Sequence, residues 1–166
     1  MQIAQRIDLP DGGTLVAVWG KRGLVKLGFP GSAGVSGVDI EDARLVEGRG
    51  FSEWQETLAK LAVEYFAGAV VDFAGVPVDF AGYTLFQRRV LSVVRQIPYG
   101  EITTYREVAR KVGQLHAARA VGQVLKRNRT PLVIPCHRVL SRDGPGGYSC
   151  GISFKKRLLR LEGLLR

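Results

Sequence analysis

Apolar positions recur at two different periods along this chain, and the change of period divides it. Between residues 2 and 29, Val16, Val18, Val25 and Leu27 supply alternating apolar positions in short runs. Asp11-Gly12-Gly13 and Lys21-Arg22-Gly23 break those runs. Alternation split by glycine-containing turns predicts hairpin-connected strands. The Gly/Ser-rich residues 30–37 predict a loop. From residue 51 the period lengthens. Trp54, Leu58, Leu61 and Tyr65 fall at spacings of 4, 3 and 4, one stripe of a helix over 51–66 with Ser52 as its N-cap. Residues 70–82, rich in valine and interrupted by proline and glycine, predict a connector.

The remainder reads as mainly helical. Residues 85–97 are densely apolar and stop before Pro98-Tyr99-Gly100. Thr104 and Glu107 fit a capping box at the start of the next helix, which ends at Gly113. After the turn Gln114-Leu115, a second helix over 116–126 ends in Lys126-Arg127-Asn128-Arg129. Two helices joined by a short glycine-containing turn form the helix-turn-helix plan. Residues 131–139, bounded by prolines, predict a buried extended segment that ends in a turn at Cys136. A glycine-rich loop over 143–151 leads to a last helix capped by Ser153. Its Phe154, Leu158, Leu161 and Leu165 form one buried face, with Glu162 beside it. The fold class is α+β, with an N-terminal unit over 1–80 and a mainly helical unit over 81–166.

Charge sharpens the division. Residues 1–80 hold 7 Lys/Arg against 11 Asp/Glu, whereas 81–166 hold 17 against 4. The second half should attract a polyanion and the first should not. A hydrophobic fraction of 46% provides for a core. No apolar run approaches the ~20 residues of a membrane span, and no signal pattern opens the chain. A cytoplasmic, nucleoid-associated protein is expected. Two cysteines, Cys136 and Cys150, make no disulfide framework. A single Asn and a single Met hint at a thermophilic source.

Pro135-Cys136-His137-Arg138-Val139 carries the candidate chemistry. The thiolate, not the thiol, is the nucleophile, so activation needs a base. His137 adjoins Cys136, but neighbours on extended chain point to opposite faces, so a tight turn or a bridging water is required. A carboxylate normally fixes the tautomer of such a histidine. Of Glu101, Glu107, Asp143 and Glu162, the last lies on a helix that must pack near the cysteine. The competing readings are a buried inert thiol and a core histidine. Cys136, Cys150, His137 and His116 could be counted as metal ligands, but the usual zinc spacings are absent. No metal and no cofactor are expected.

The residues around Cys136 resemble the O6-alkylguanine–DNA alkyltransferase family. The resemblance extends to Phe86-Gln87, to Ile97-Pro98-Tyr99-Gly100-Glu101 with Thr104-Tyr105, and to Ala117-Ala118-Arg119-Ala120-Val121-Gly122. Gly147-Tyr148-Ser149 and the stretch from Leu158 to Gly163 complete it. The resemblance implies a ribonuclease H-like α/β roll before a winged-helix-like helix-turn-helix unit. It implies irreversible transfer of an alkyl group from guanine O6 to Cys136 after base flipping, each molecule acting once. His137 would take the thiol proton through a water, Glu162 would orient the histidine, and Tyr105 would rotate the target phosphate and serve the leaving guanine. Arg119 would fill the gap left by the flipped base, with Ala118, Ala120, Gly122, Lys126 and Arg127 on the DNA-facing helix. Val139, Tyr148, Ser149 and Cys150 would shape the substrate pocket, Asn128 would be the hinge, and Arg138 would serve a structural ion pair. The implied partner is double-stranded DNA carrying O6-alkylguanine, met in the minor groove without sequence preference by a monomer that can be cooperative on DNA. Cys150 departs from the family, which usually has a small residue there, and should narrow the pocket. The first half has no Cys or His, so the zinc site of some members cannot form. A module that senses alkylated bases without repairing them is the alternative.

Overall fold

The computed structural model describes residues 2–29, 44–45 and 52–166. The loop expected over 30–37 lies outside them. Strands β1 (Ile3–Asp8), β2 (Thr14–Gly20) and β3 (Gly23–Gly28) form an antiparallel meander, and the short β4 (Arg44–Leu45) pairs parallel to β1, giving the order β3-β2-β1-β4. Both predicted turns are in place. In β2, the run Leu15 to Trp19 is buried on both faces, and its Leu15, Ala17 and Trp19 share one apolar cluster with α1 (Glu53–Phe66). The connector after α1 docks alongside β3, where Leu24 N–H donates to the Pro77 carbonyl and Asp79 N–H to the Leu24 carbonyl, both at 2.8 Å.

Helix α1 turns the expected stripe inward at Leu58, Leu61 and Tyr65 but not at its first position. Gln55, Leu58, Ala62 and Tyr65 are buried, while Trp54 is 41% exposed. The physical reason is Gln5. Its side chain donates to the Gln55 carbonyl at 3.0 Å and accepts from Trp19 Nε1 at 2.9 Å, a buried polar link that draws Gln55 into the sheet.

The second half holds α2 (Leu85–Arg95), α3 (Tyr105–Lys111), α4 (Ala118–Lys126) and α5 (Ile152–Leu161). The described residues thus form a mixed α/β fold with a small, mainly antiparallel sheet and five helices. Two short strands, β5 (Thr103–Thr104) and β6 (Val139–Leu140), pair in parallel beside the cysteine segment. Thr84 and Gln87 form a reciprocal cap on α2. The capping box expected at Thr104 is half made. Thr104 Oγ1 accepts from Glu107 N–H at 3.2 Å, but the Glu107 carboxylate pairs instead with Arg110. Helix α5 begins earlier than expected, with Gly151 at φ 91° as its N-cap and Ser153 inside the helix. It ends at Leu161, so Leu165 lies beyond it and is 39% exposed.

Two apolar clusters result. One gathers the sheet, α1 and the connector; the other gathers α2, α3, α4 and the cysteine segment. Leu132, Val133 and Leu158 of the second half belong to the first cluster. Leu27 N–H donates to the Arg129 carbonyl at 2.8 Å. The floor of the cysteine segment is thus built jointly by both halves of the sequence.

Candidate active site and DNA-facing helix

The cysteine segment needs an abrupt change of direction, and Leu132 supplies part of it with φ at +74°, an unusual backbone for a branched residue. Cys136, His137 and Arg138 then form one 3-10 turn, all three buried. The turn does not bring the two adjacent side chains together, since Cys136 bonds to Asn128 and His137 to Glu162. Cys136 Sγ faces α4 and the pocket, and His137 faces α5.

Glu162, just past the end of α5, gathers the other side of the turn. Its Oε1 lies 2.7 Å from His137 Nε2 and accepts from Tyr65 Oη at 2.7 Å. Arg138 Nε donates to Oε2 at 2.9 Å and Nη2 to Oε1 at 3.0 Å. Gly100 N–H donates to Oε2 at 3.1 Å. Burial works against this carboxylate's charge, but hydrogen bonds from His137, Arg138 and Tyr65 prevail and hold its pKa near 2. Burial lowers the pKa of His137 below its ordinary value, so the ring is neutral at pH 7. An ionised Glu162 beside Nε2 fixes the proton there and leaves Nδ1 as the basic nitrogen. Nδ1 is buried and has no hydrogen-bond partner among the described residues.

Asn128, immediately after α4, meets the nucleophile directly. Its Nδ2 donates to Cys136 Sγ at 3.1 Å and to the Ile134 carbonyl at 2.9 Å, while Oδ1 accepts from Thr130 N–H at 3.0 Å. Burial pushes the Cys136 thiol up to about 11, against the opposing Asn128 bond. Deprotonation at neutral pH therefore needs a base at hand.

Cys136 opens on a cleft of about 590 Å³ that is also lined by Tyr105, Ala118, Arg119, Gly122, Tyr148 and Ser149. The volume suits a base-sized ligand. Lys126 joins the lining, and Arg119 and Lys126 are exposed on α4. Ala120 and Arg127 are exposed on α4 and at its end but do not line the cleft. Val139 and Cys150 are buried behind it, and neither Asn128 nor Cys150 lines its wall. Tyr105 Oη donates to the Gly147 carbonyl at 3.4 Å. The loop comes so close to this ring that a Cβ on Gly146, at φ +71°, would sit 2.8 Å from Tyr105 Oη.

Four contributors escaped the sequence reading: Tyr65 and Gly100 on Glu162, Gly146 against Tyr105, and Lys155. The last carried a legible signal. Lys155 shares the α5 face of Leu158 and Leu159, and a lysine on an apolar stripe invites the question of its partner.

The sequence model described as 6-O-methylguanine DNA methyltransferase, DNA binding domain, matches residues 85–164. The methylated-DNA–protein-cysteine methyltransferase of Sulfolobus acidocaldarius is 36% identical over 152 residues, which cover 92% of this chain and 88% of that protein. The chain belongs to the methylated-DNA–protein-cysteine methyltransferase family. The relative of that name from Methanopyrus kandleri is 49% identical over 78 residues, a match spanning 58% of its length. A Mycobacterium tuberculosis O6-methylguanine methyltransferase superposes with a TM-score of 0.80 at 32% identity, covering 98% of this chain and 93% of that one. The same fold from that organism, in complex with DNA, gives 0.79 at 33% identity over 96% of this chain and 91% of that one. Among the described residues no helix is long and apolar enough to cross a membrane.

Proposed function

We propose that this chain repairs alkylated DNA by direct reversal, taking the alkyl group from guanine O6 onto Cys136 in one irreversible step. The observation that carries the proposal is the arrangement around Glu162. It fixes the His137 proton on Nε2 and leaves Nδ1 buried and without a partner among the described residues, on the residue that follows a thiol unable to ionise unaided. His137 Nδ1 accepts the thiol proton, through one water. The S–C bond forms as the C–O6 bond breaks, and guanine leaves with the electron pair. The proton given up by the thiol returns to the departing base, so the transfer is balanced without a cofactor. Tyr105, at the cleft wall, serves the leaving guanine and the target phosphate.

O6 is unreachable inside a stacked duplex, so the base must be flipped into the cleft, at a cost of a few kcal/mol. Arg119, exposed on α4 at the cleft, fills the vacated stack, and α4 with Lys126 and Arg127 lies in the minor groove. Ser149 and the carbonyls of Cys136 and Val139 read the base. The winged-helix-like unit, 81–166, carries this work as a monomer in the cytoplasm, cooperative on DNA, while 1–80, a ribonuclease H-like roll, braces it. A module that only senses alkylated bases is the weaker reading, because it would have no use for an intact Cys136–His137–Glu162 set.

The experiment is mass spectrometry after mixing the protein with an equimolar duplex carrying one O6-methylguanine. The expected result is one added methyl on Cys136 and restored guanine. Tight binding with an unmodified cysteine would leave only the sensing module.

A further inference from the structure

Lys155 is a buried amine that the reaction above leaves unused. It sits on the inner face of α5, wholly shielded from solvent. Burying an ammonium is costly unless polar groups surround it. Its Nζ donates to the Val139 carbonyl at 2.6 Å and to the Gly147 carbonyl at 3.3 Å. Val139 follows the catalytic turn and Gly147 belongs to the cleft loop, so one amine joins both walls to α5. These carbonyls solvate the charge without neutralising it, and among the described residues no carboxylate pairs with Lys155. The titratable groups around the amine and the sulfur are Cys136 and His137 of the turn, Tyr105 of α3, and Tyr148 and Cys150 of the loop, which act on Cys136. The Tyr105 ring centroid lies 6.0 Å from Nζ, and its hydroxyl shares the Gly147 carbonyl.

We propose that Lys155 is the counter-cation of the Cys136 thiolate, a positioning residue whose fixed charge lowers the cost of ionising a fully buried sulfur. The proposal rests on Cys136 being the alkyl acceptor. Asn128 offers that sulfur only a neutral donor. A neighbouring ammonium favours the charged form directly, and such charges shift a pKa by about 1–3 units. Lys155 neither gives nor takes a proton in the step. The thiol proton still goes to His137, which is neutral beforehand and feels the same ammonium as repulsion. The arrangement therefore favours the thiolate more than it favours proton uptake by His137, and the proton is released readily to the departing base. Burial draws the Lys155 pKa down to about 8. The cation is in place at neutral pH and is lost as pH rises above that point.

The deciding measurement is the pH profile of Cys136 carbamidomethylation by iodoacetamide in the full chain without DNA, read from the mass of the tryptic peptide 130–138. In the unaltered chain the rise in rate flattens near pH 8 as Lys155 loses its charge. A single smooth thiol titration through that region would overturn the proposal. In K155M, which keeps bulk without charge, the midpoint moves up by about one unit, a roughly tenfold loss of rate at pH 8. K155R keeps the midpoint and loses the flattening. K155Q retains a donor for the Val139 carbonyl but no charge, and follows K155M. A K155Q profile matching the unaltered chain would reduce Lys155 to a loop anchor and overturn the counter-cation role. Methyl transfer from O6-methylguanine duplex is followed alongside. Its absence in the unaltered chain would sink the repair reading while the thiol titration still reports on Lys155.

Discussion

Glu162 receives donors from four residues at three separate places in the chain: His137 and Arg138 of one turn, Tyr65 and Gly100. Its carboxylate is fully enclosed, so its charge survives only because those donors converge. Glu162→Gln removes the charge and leaves the Arg138 guanidinium buried without its counter-ion. The expected loss is about 3–5 kcal/mol of stability in denaturant unfolding, together with a large fall in single-turnover methyl transfer as His137 loses its fixed tautomer. The same shifts set the acid limit of the fold. Glu162 falls from an ordinary 4.5 to about 2, so its contribution, about 3 kcal/mol, is complete above pH 4.5 and is lost as pH falls toward 2. His137 is also depressed, so the unfolded chain binds its proton first and stability begins to fall below about pH 6.5. Unfolding midpoints measured from pH 8 to pH 3 should therefore decline in two stages. A flat profile would contradict both assignments. The His137–Glu162 contact was legible because a histidine beside a thiol calls for a carboxylate to fix its tautomer. Tyr65 was not, since nothing in a helix stripe says that its hydroxyl crosses 97 positions to reach a carboxylate.

At the scale of elements, α4 and the loop over 143–151 face each other across the cleft, with Tyr105 between them. Gly122 lies on α4 where an added Cβ would meet Tyr105 Cε1 at 3.8 Å, an ordinary contact. Gly146 is the opposite case, for both its positive φ and its 2.8 Å approach to Tyr105 Oη exclude a side chain. Gly146→Ala should displace the loop or the tyrosine and cost more than about 1 kcal/mol, with methyl transfer reduced well beyond the change in DNA affinity. Parallel transfer and binding assays check this, and an unchanged transfer rate would remove Tyr105 from the site. Arg119 is exposed on α4. Arg119→Ala should slow transfer from duplex far more than reaction with free O6-methylguanine base, whereas equal losses would deny it the stack-filling role. Elements were read better than their faces. The stripe of α1 holds at Leu58, Leu61 and Tyr65 and fails only at Trp54, where Gln5 binds the Gln55 main-chain carbonyl and Gln55 is buried instead. The start of α5 was misplaced for a similar reason. Ser153 looks like a cap, but Gly151 alone can take φ 91° at the end of the loop.

For the molecule as a whole, the opposed charges of the two halves should separate what touches DNA from what does not. The basic half, with 17 Lys/Arg against 4 Asp/Glu, offers phosphate contacts, and affinity for undamaged duplex should fall steeply with salt. The acidic half shapes the site from behind. Tyr65 of α1 holds Glu162, and Leu132, Val133 and Leu158 bury themselves against the sheet and α1 rather than among the helices of their own half. These are the residues that flank the catalytic turn in sequence or share α5 with Glu162. A fragment comprising 81–166 would expose those three side chains and open Glu162 to water. It should be poorly folded by circular dichroism and inactive in transfer, despite keeping Cys136, His137, Glu162 and α4. Tyr65→Phe in the full chain isolates the polar part of this support. It removes one buried donor, costs about 1–2 kcal/mol, and lets the Glu162 pKa rise, so the acid-induced loss of stability begins at higher pH. A fragment that folds and accepts a methyl group as fast as the full chain would show that 1–80 contributes nothing to the site, and would make the Tyr65–Glu162 bond incidental.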